Sequence, residues 1–334
     1  MDFPLSVTFY SYKGGAGRSV ACANVAHQLV HSLRSSTALI DFDIESAGQG
    51  YVHEINPAWI LGQSPKYSDW VYVQDILAGS RAQGELVDLA PLKNFSRFVP
   101  RMFIDTARGE ASRLEEAAAA PTGLLMLSRP VAEVSSRSEG FRRELVVVQT
   151  LAARLKKFMN VDFLLFDSPS GTQPLAEVAW NWSPVMVLLC RPSRQFLLGT
   201  RHFLQRLVDK ITRQDVRILL LLAAVPLREE FRKSREEAMQ RVRNMAQDIN
   251  AEAAGKGKAQ FCVEVPTLSD GDSTERLVIP EVSRLKWRDE VLSEAAGKED
   301  AEVEAALRAY RRLAELIFSI RQGSRTKGAH ETAR

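Results

Sequence analysis

Short apolar runs alternate along this chain with stretches whose apolar residues recur every three to four positions. Residues 5–10 and 37–42 are runs of the first kind, rich in strand formers. Between them Val20, Ala23, Ala26, Val30 and Leu33 keep helical spacing. The same reading predicts strands at 123–127, 163–167, 185–190, 217–225 and 261–265. It predicts helices over 141–158, 199–208, 228–254 and 301–320, with shorter helical pieces at 73–79 and 112–120. Strands that are apolar throughout and separated by helices imply a parallel sheet covered on both faces. The expected fold class is therefore α/β, a three-layer, doubly wound, mostly parallel sheet.

The turn between the first strand and the first helix reads Y-K-G-G-A-G-R-S. Gly14, Gly15 and Gly17 let the chain curl so that several backbone N–H groups face one concavity at the positive end of the helix. Such a cup seats a phosphate. The ordinary phosphate loop is G-x-x-x-x-G-K-[ST], and this one departs from it twice. Tyr12 stands at the first glycine, and Arg18 replaces the lysine beside Ser19. Further along, the second strand ends in D-F-D, Asp41 to Asp43, and residues 163–170 read F-L-L-F-D-S-P-S. In a parallel sheet, acids at the carboxyl ends of strands lie where ligands bind.

Together K-G-G-A-G-R-S, D-F-D and F-D-S-P resemble the ParA/MinD family of phosphate-loop ATPases, in its arginine-bearing K-G-G-x-G-R variant. The resemblance covers roughly residues 5–50, 123–225 and 261–320. It implies a phosphate-loop NTPase binding ATP and Mg2+, with the backbone of Gly14, Gly15, Ala16, Gly17, Arg18, Ser19 and Val20 around the phosphates. Lys13 would reach across a homodimer to the partner's nucleotide. Ser19 would bind the metal, Asp43 would help hold its shell and position the attacking water, and Asp167 would accept from its waters. Ile279 and Pro280 resemble the family's I-P loop, which makes Pro280 an expected adenine contact. Many relatives read adenine with an asparagine at the end of the strand placed here at 217–225, where this chain has Ala223, Ala224 and Val225. The arginine affects rate more than binding: a guanidinium grips phosphate in a planar fork rather than as a point charge, so hydrolysis is expected to be slow or absent.

Composition narrows the reading. A chain of 334 residues with 45% hydrophobic and 25% charged residues has room for one large decorated domain. The expected organisation is an ATPase domain over 1–290 with an insertion at about 51–121, a C-terminal helix in 291–322, and a disordered tail at 323–334. Trp59, Trp70 and Tyr72, inside the insertion, are read as packing over the core. A net charge of +3 imposes no strong affinity for polyanions. The helix over 228–254 interleaves its arginines with acids, so binding of DNA is admitted but not favoured. The three cysteines lie in apolar runs without a CxxC pair, and are expected to be reduced, buried thiols of a cytoplasmic protein. The last helix carries Tyr310 on its apolar stripe and glutamates opposite, which suits docking on the core rather than on a membrane. His27 and His31 share one face of the first helix and are read as surface residues. The expected activity is that of an ATP-dependent dimeric switch acting on a partner protein. Two alternatives remain: a DNA-binding partition ATPase, or a nucleotide-binding scaffold or regulator with little turnover, in a bacterial signalling or defence system.

Overall fold

The structure, a computed structural model, describes residues 3–43, 48–53, 99–100, 123–126, most of 145–157, 160–268 apart from 214, 275–292 apart from 287–289, and 297–331 apart from 299. Its strands are β1 (Leu5–Tyr10), β2 (Thr37–Asp41), β3 (Val99–Pro100), β4 (Gly123–Met126), β5 (Phe163–Asp167), β6 (Val185–Cys190), β7 (Val216–Val225), β8 (Phe261–Glu264) and β9 (Val278–Pro280). The helices are α1 (Arg18–His31), α2 (Gly48–Val52), α3 within 145–157, α4 (Pro174–Trp182), α5 (Arg194–Lys210), α6 (Arg232–Gly255) and α7 (Ala301–Glu331). All of these strands join one sheet in the order β3-β4-β2-β5-β1-β6-β7-β8, with β9 also on β7. Of the pairings between these strands only β3–β4 is antiparallel, and an isolated antiparallel bridge joins Thr267 and Arg276.

Both faces of the sheet are buried, which is why its strands read as unbroken apolar runs. Val185, Val187 and Leu189 of β6 pack in one core with α1 and α7. Met186, Leu188 and Cys190 point the other way, into a core shared with α5 and α6. A third cluster sets α3 and α4 against β2 and β5. Three layers result, as the pattern predicts.

The parallel register also fixes where chemistry can gather. β5 lies between β2 and β1, and Asp167 is in register with Asp41 on one side and Phe9 on the other. The acids at the ends of β2 and β5 and the loop leaving β1 therefore share one edge of the sheet.

Some expectations change. Helix α4 begins with Pro174 at its first turn, and the three-residue β9 is too short to leave a periodic signal. Helix α6 starts at Arg232 rather than at 228, so Phe231 falls in the preceding 3-10 turn and is 41% exposed. Cys22 and Cys190 are buried, but Cys262 is exposed, because it occupies the outer face of β8 at the end of the sheet. Helix α7 runs on to Glu331 through the stretch read as a disordered tail, since extending an existing helix orders one residue per hydrogen bond. The predicted helices at 73–79 and 112–120, the aromatics Trp59, Trp70 and Tyr72, and nearly all of 51–121 lie outside the described residues. Among the described residues, no helix is long and apolar enough to cross a membrane.

Candidate functional site

The loop after β1 closes on itself before α1 begins. The Ser11 hydroxyl donates to the Lys13 carbonyl at 2.9 Å, which starts the curl. Gly15 and Gly17 have φ of 80° and 75°, the left-handed region that an L side chain avoids. A Cβ at either would meet nothing within 4 Å, so the backbone conformation, not crowding, demands glycine there. Gly17 caps α1 with no side-chain bond, and its carbonyl takes the Ala21 N–H at 2.9 Å. The first amides of α1 are therefore free of side-chain caps, on a helix whose first turn holds no acid. Ser170 of the D-S-P-S stretch flanks this loop, since a Cβ at Gly14 would meet its hydroxyl at 3.9 Å.

Arg18, the first residue of α1, turns its side chain inward. Its Nε donates to Asp167 Oδ1 at 2.6 Å and its Nη2 to Asp43 Oδ2 at 2.5 Å. The Arg18 side chain is 8% exposed and Asp167 is fully buried. Burial works against the Arg18 charge, but Asp167 and then Asp43 outweigh it, so the guanidinium is held even more firmly charged than usual. Behind this pair sits Gln49, on the short helix α2. Its Nε2 donates to Asp167 Oδ2 at 2.7 Å and to the Ser19 carbonyl at 2.9 Å. Asp41 accepts from the backbone N–H groups of Asp43 and Gln49 at 3.1 and 3.2 Å. Burial, then the neighbouring charges of Asp167 and Asp43, push the Asp41 carboxyl well above the usual carboxylate range, so it holds its proton.

No protein-family model and no curated protein matches the sequence. Solved structures do match almost end to end. The ParA of pNOB8 bound to nonspecific DNA aligns with a TM-score of 0.57 at 15% identity, over 93% of this chain and 99% of that one. A putative plasmid partition protein of Borrelia burgdorferi B31 bound to AMPPNP gives 0.53 at 14% identity, over 92% and 98%. The MinC:MinD cell division complex of Aquifex aeolicus gives 0.51 at 17% identity, over 92% and 95%. This chain has the ParA/MinD fold.

Within the ParA/MinD fold, the departures from the common loop gain physical partners. Tyr12, which stands where the loop usually has glycine, is seated on α5: a Cβ at Gly199 would come within 2.3 Å of the Tyr12 ring. That pairing is invisible to sequence periodicity, as is the role of Gln49. The one local signal for Gln49 is a buried amide between two glycines shortly after D-F-D.

The structure brings Gly14 to Ser19, Asp41, Asp43 and Asp167 together. Ala16 and Val20 are buried in the core, so only their backbones can face a ligand. Lys13 is half-buried on the loop and makes no ion pair among the described residues. Pro280 lies elsewhere, buried at the end of β9 opposite Val225, with β7 and β6 between it and β1. Ala224, beside it, has φ of 52° at a break in the β7–β9 register. His27 and His31, read as surface residues, are half-buried on α1 and stack at 4.2 Å, and burial, then His31, lower His27 to about 4.

Among the described residues no cluster of three or more His, Cys, Asp or Glu is placed to ligate a metal ion directly, so the acids here could act only on the waters of a hydrated cation. Asp43 and Asp167 share the single guanidinium of Arg18, and Gln49 Oε1 is buried without a hydrogen-bond partner among the described residues. Waters on such an ion donate hydrogen bonds, and buried acceptors of this kind are what they need.

Proposed function

We propose that this chain is an ATP-dependent molecular switch of ParA/MinD type, which binds ATP with Mg2+, pairs face to face as a homodimer in that state, and controls a partner protein. One observation carries the reading: a loop bent by left-handed glycines starts α1 without a side-chain cap, and the first residue of that helix, Arg18, holds the acids at the ends of β2 and β5. A fold shared with a partition protein bound to AMPPNP supports it. The amides of Gly14 to Ser19 bind the β- and γ-phosphates with Arg18, and Pro280 is the proposed adenine contact. The Ser19 hydroxyl would hold the metal, and Asp43 and Asp167 would accept from its waters. Bound magnesium would offset the charge of the phosphates. Asp43 orients the attacking water, and Lys13 reaches the neighbouring protomer's nucleotide.

Phosphate release tests this reading. The wild type is expected to turn ATP over slowly, and Lys13→Ala and Asp43→Ala are each expected to reduce the rate at least about tenfold. Equal, negligible release by all three proteins would favour a second reading, a nucleotide-binding scaffold or regulator. The hold of Arg18 on Asp43 supports that alternative, because it engages the acid assigned to the water. A DNA-binding role is less favoured. Arg232 pairs with Glu229 and Glu236, Arg241 with Glu237 and Arg201 with Asp248, so these arginines are offset by acids. Binding to mixed-sequence DNA that appears with ATP and weakens steeply with salt would reverse that preference.

A further inference from the structure

A guanidinium has two edges with which to grip acceptors, and Arg18 has committed one of them. Nε goes to Asp167 and Nη2 to Asp43, two acids delivered by different strands. Nη1 has no hydrogen-bond partner among the described residues, and it belongs to the residue whose backbone amide opens α1. A triphosphate arriving at those amides would meet carboxylates and suffer their repulsion unless a cation stood between. In most phosphate loops that task falls to a divalent ion, because a lysine ammonium is a point charge on a flexible stem with no fork to span two carboxylates. Here the cation is part of the chain, is 8% exposed, and is pinned by bonds of 2.5 and 2.6 Å before any ligand binds.

We propose that Arg18 is a built-in bridging cation between Asp43, Asp167 and a bound triphosphate, so that this chain takes up nucleoside triphosphate with little dependence on a divalent metal ion. The proposal rests on the nucleotide reading above and adds to it a property that the reading does not require. Magnesium can still bind at Ser19 and Asp43, but it is no longer needed to screen the acids from the phosphates. The planar fork is the essential feature. A lysine at the same position keeps the charge and loses the bridge.

Titration calorimetry with AMPPNP, in excess magnesium and then in excess EDTA, tests the idea on the full chain without turnover. For the wild type the affinity is expected to fall by less than about tenfold on removing the metal. For Arg18→Lys it is expected to fall at least about tenfold further than for the wild type. A larger fall for the wild type, or equal ratios in the two proteins, overturns the proposal. Circular dichroism shows whether the variant folds; if it does not, the wild-type ratio decides alone. Absence of AMPPNP binding by the folded wild type in both media would overturn the nucleotide reading, and this proposal with it. Binding that is tight in magnesium and lost in EDTA would leave that reading standing and remove only the metal-independent bridge.

Discussion

Arg18 and Arg232 each hold two carboxylates, yet they occupy opposite kinds of place in the molecule. Arg18 lies between two strand ends and is 8% exposed; Arg232 opens the long helix α6, is 62% exposed, and pairs with Glu229 and Glu236 of its own segment. Around Arg232 water can replace every bond that is lost. Around Arg18 it cannot, because Asp167 is fully buried and has its second oxygen tied to Gln49. The same ion-pair chemistry therefore decorates one helix and organises the edge of the sheet at the other site. Burial of the partner separates the two cases more than distance does, since the bonds of both arginines lie between 2.5 and 3.2 Å.

The largest test of this contrast is Arg18→Gln. Removing the cation leaves Asp167 buried beside Asp41 without its counter-charge, which is expected to cost about 3–5 kcal/mol in urea unfolding. Next is Gly199→Ala, which forces a methyl group into the Tyr12 ring at 2.3 Å. Overpacking of this kind costs about 1–3 kcal/mol, and the cost should shrink in a Tyr12→Ala background, where the ring is gone.

Asp41 gives a smaller, pH-dependent effect. Its folded carboxyl keeps a proton that the unfolded chain loses above about 3.9, because burial and then Asp167 and Asp43 raise its pKa. The stability due to that proton is complete below the unfolded pKa and declines as pH rises toward the folded one. Asp41→Asn removes this decline, so unfolding measured at pH 5 and 6 should show a shallower slope than the wild type, by up to about 1.4 kcal/mol per pH unit. Smallest of all is Arg232→Ala, for which the urea midpoint is expected not to move. A shift there as large as that of Arg18→Gln would erase the contrast.

Much of this was legible in the chain because burial on both faces writes strands as plain apolar runs. β1 and β6 fall where the pattern put them, and β7 and β8 differ by a single residue at one end. The glycine turn after β1, D-F-D and F-D-S-P could be placed at one edge of the sheet because glycines and strand-end acids are local signals. What escaped depends on contacts distant in sequence. Tyr12 meets Gly199 across the β1–β6 edge, Gln49 reaches Asp167, and Arg18 chooses one acid at the end of β5 and one just beyond β2. No periodicity encodes such choices, and β9 is too short to show one. The expected direction of Arg18 was toward phosphate; its grip on Asp43 and Asp167 emerges only when three strand ends are placed side by side.

The central claim is that a triphosphate sits on the opening amides of α1, beside Arg18. A crystal structure of this protein grown with AMPPNP tests it most directly. The account predicts phosphate oxygens within about 3 Å of the backbone N–H groups of residues 14–19 and of Arg18 Nη1, with Arg18 still bridging Asp43 and Asp167. Nucleotide bound elsewhere, or phosphates seated in the loop with Arg18 turned away from both the acids and the ligand, would contradict it.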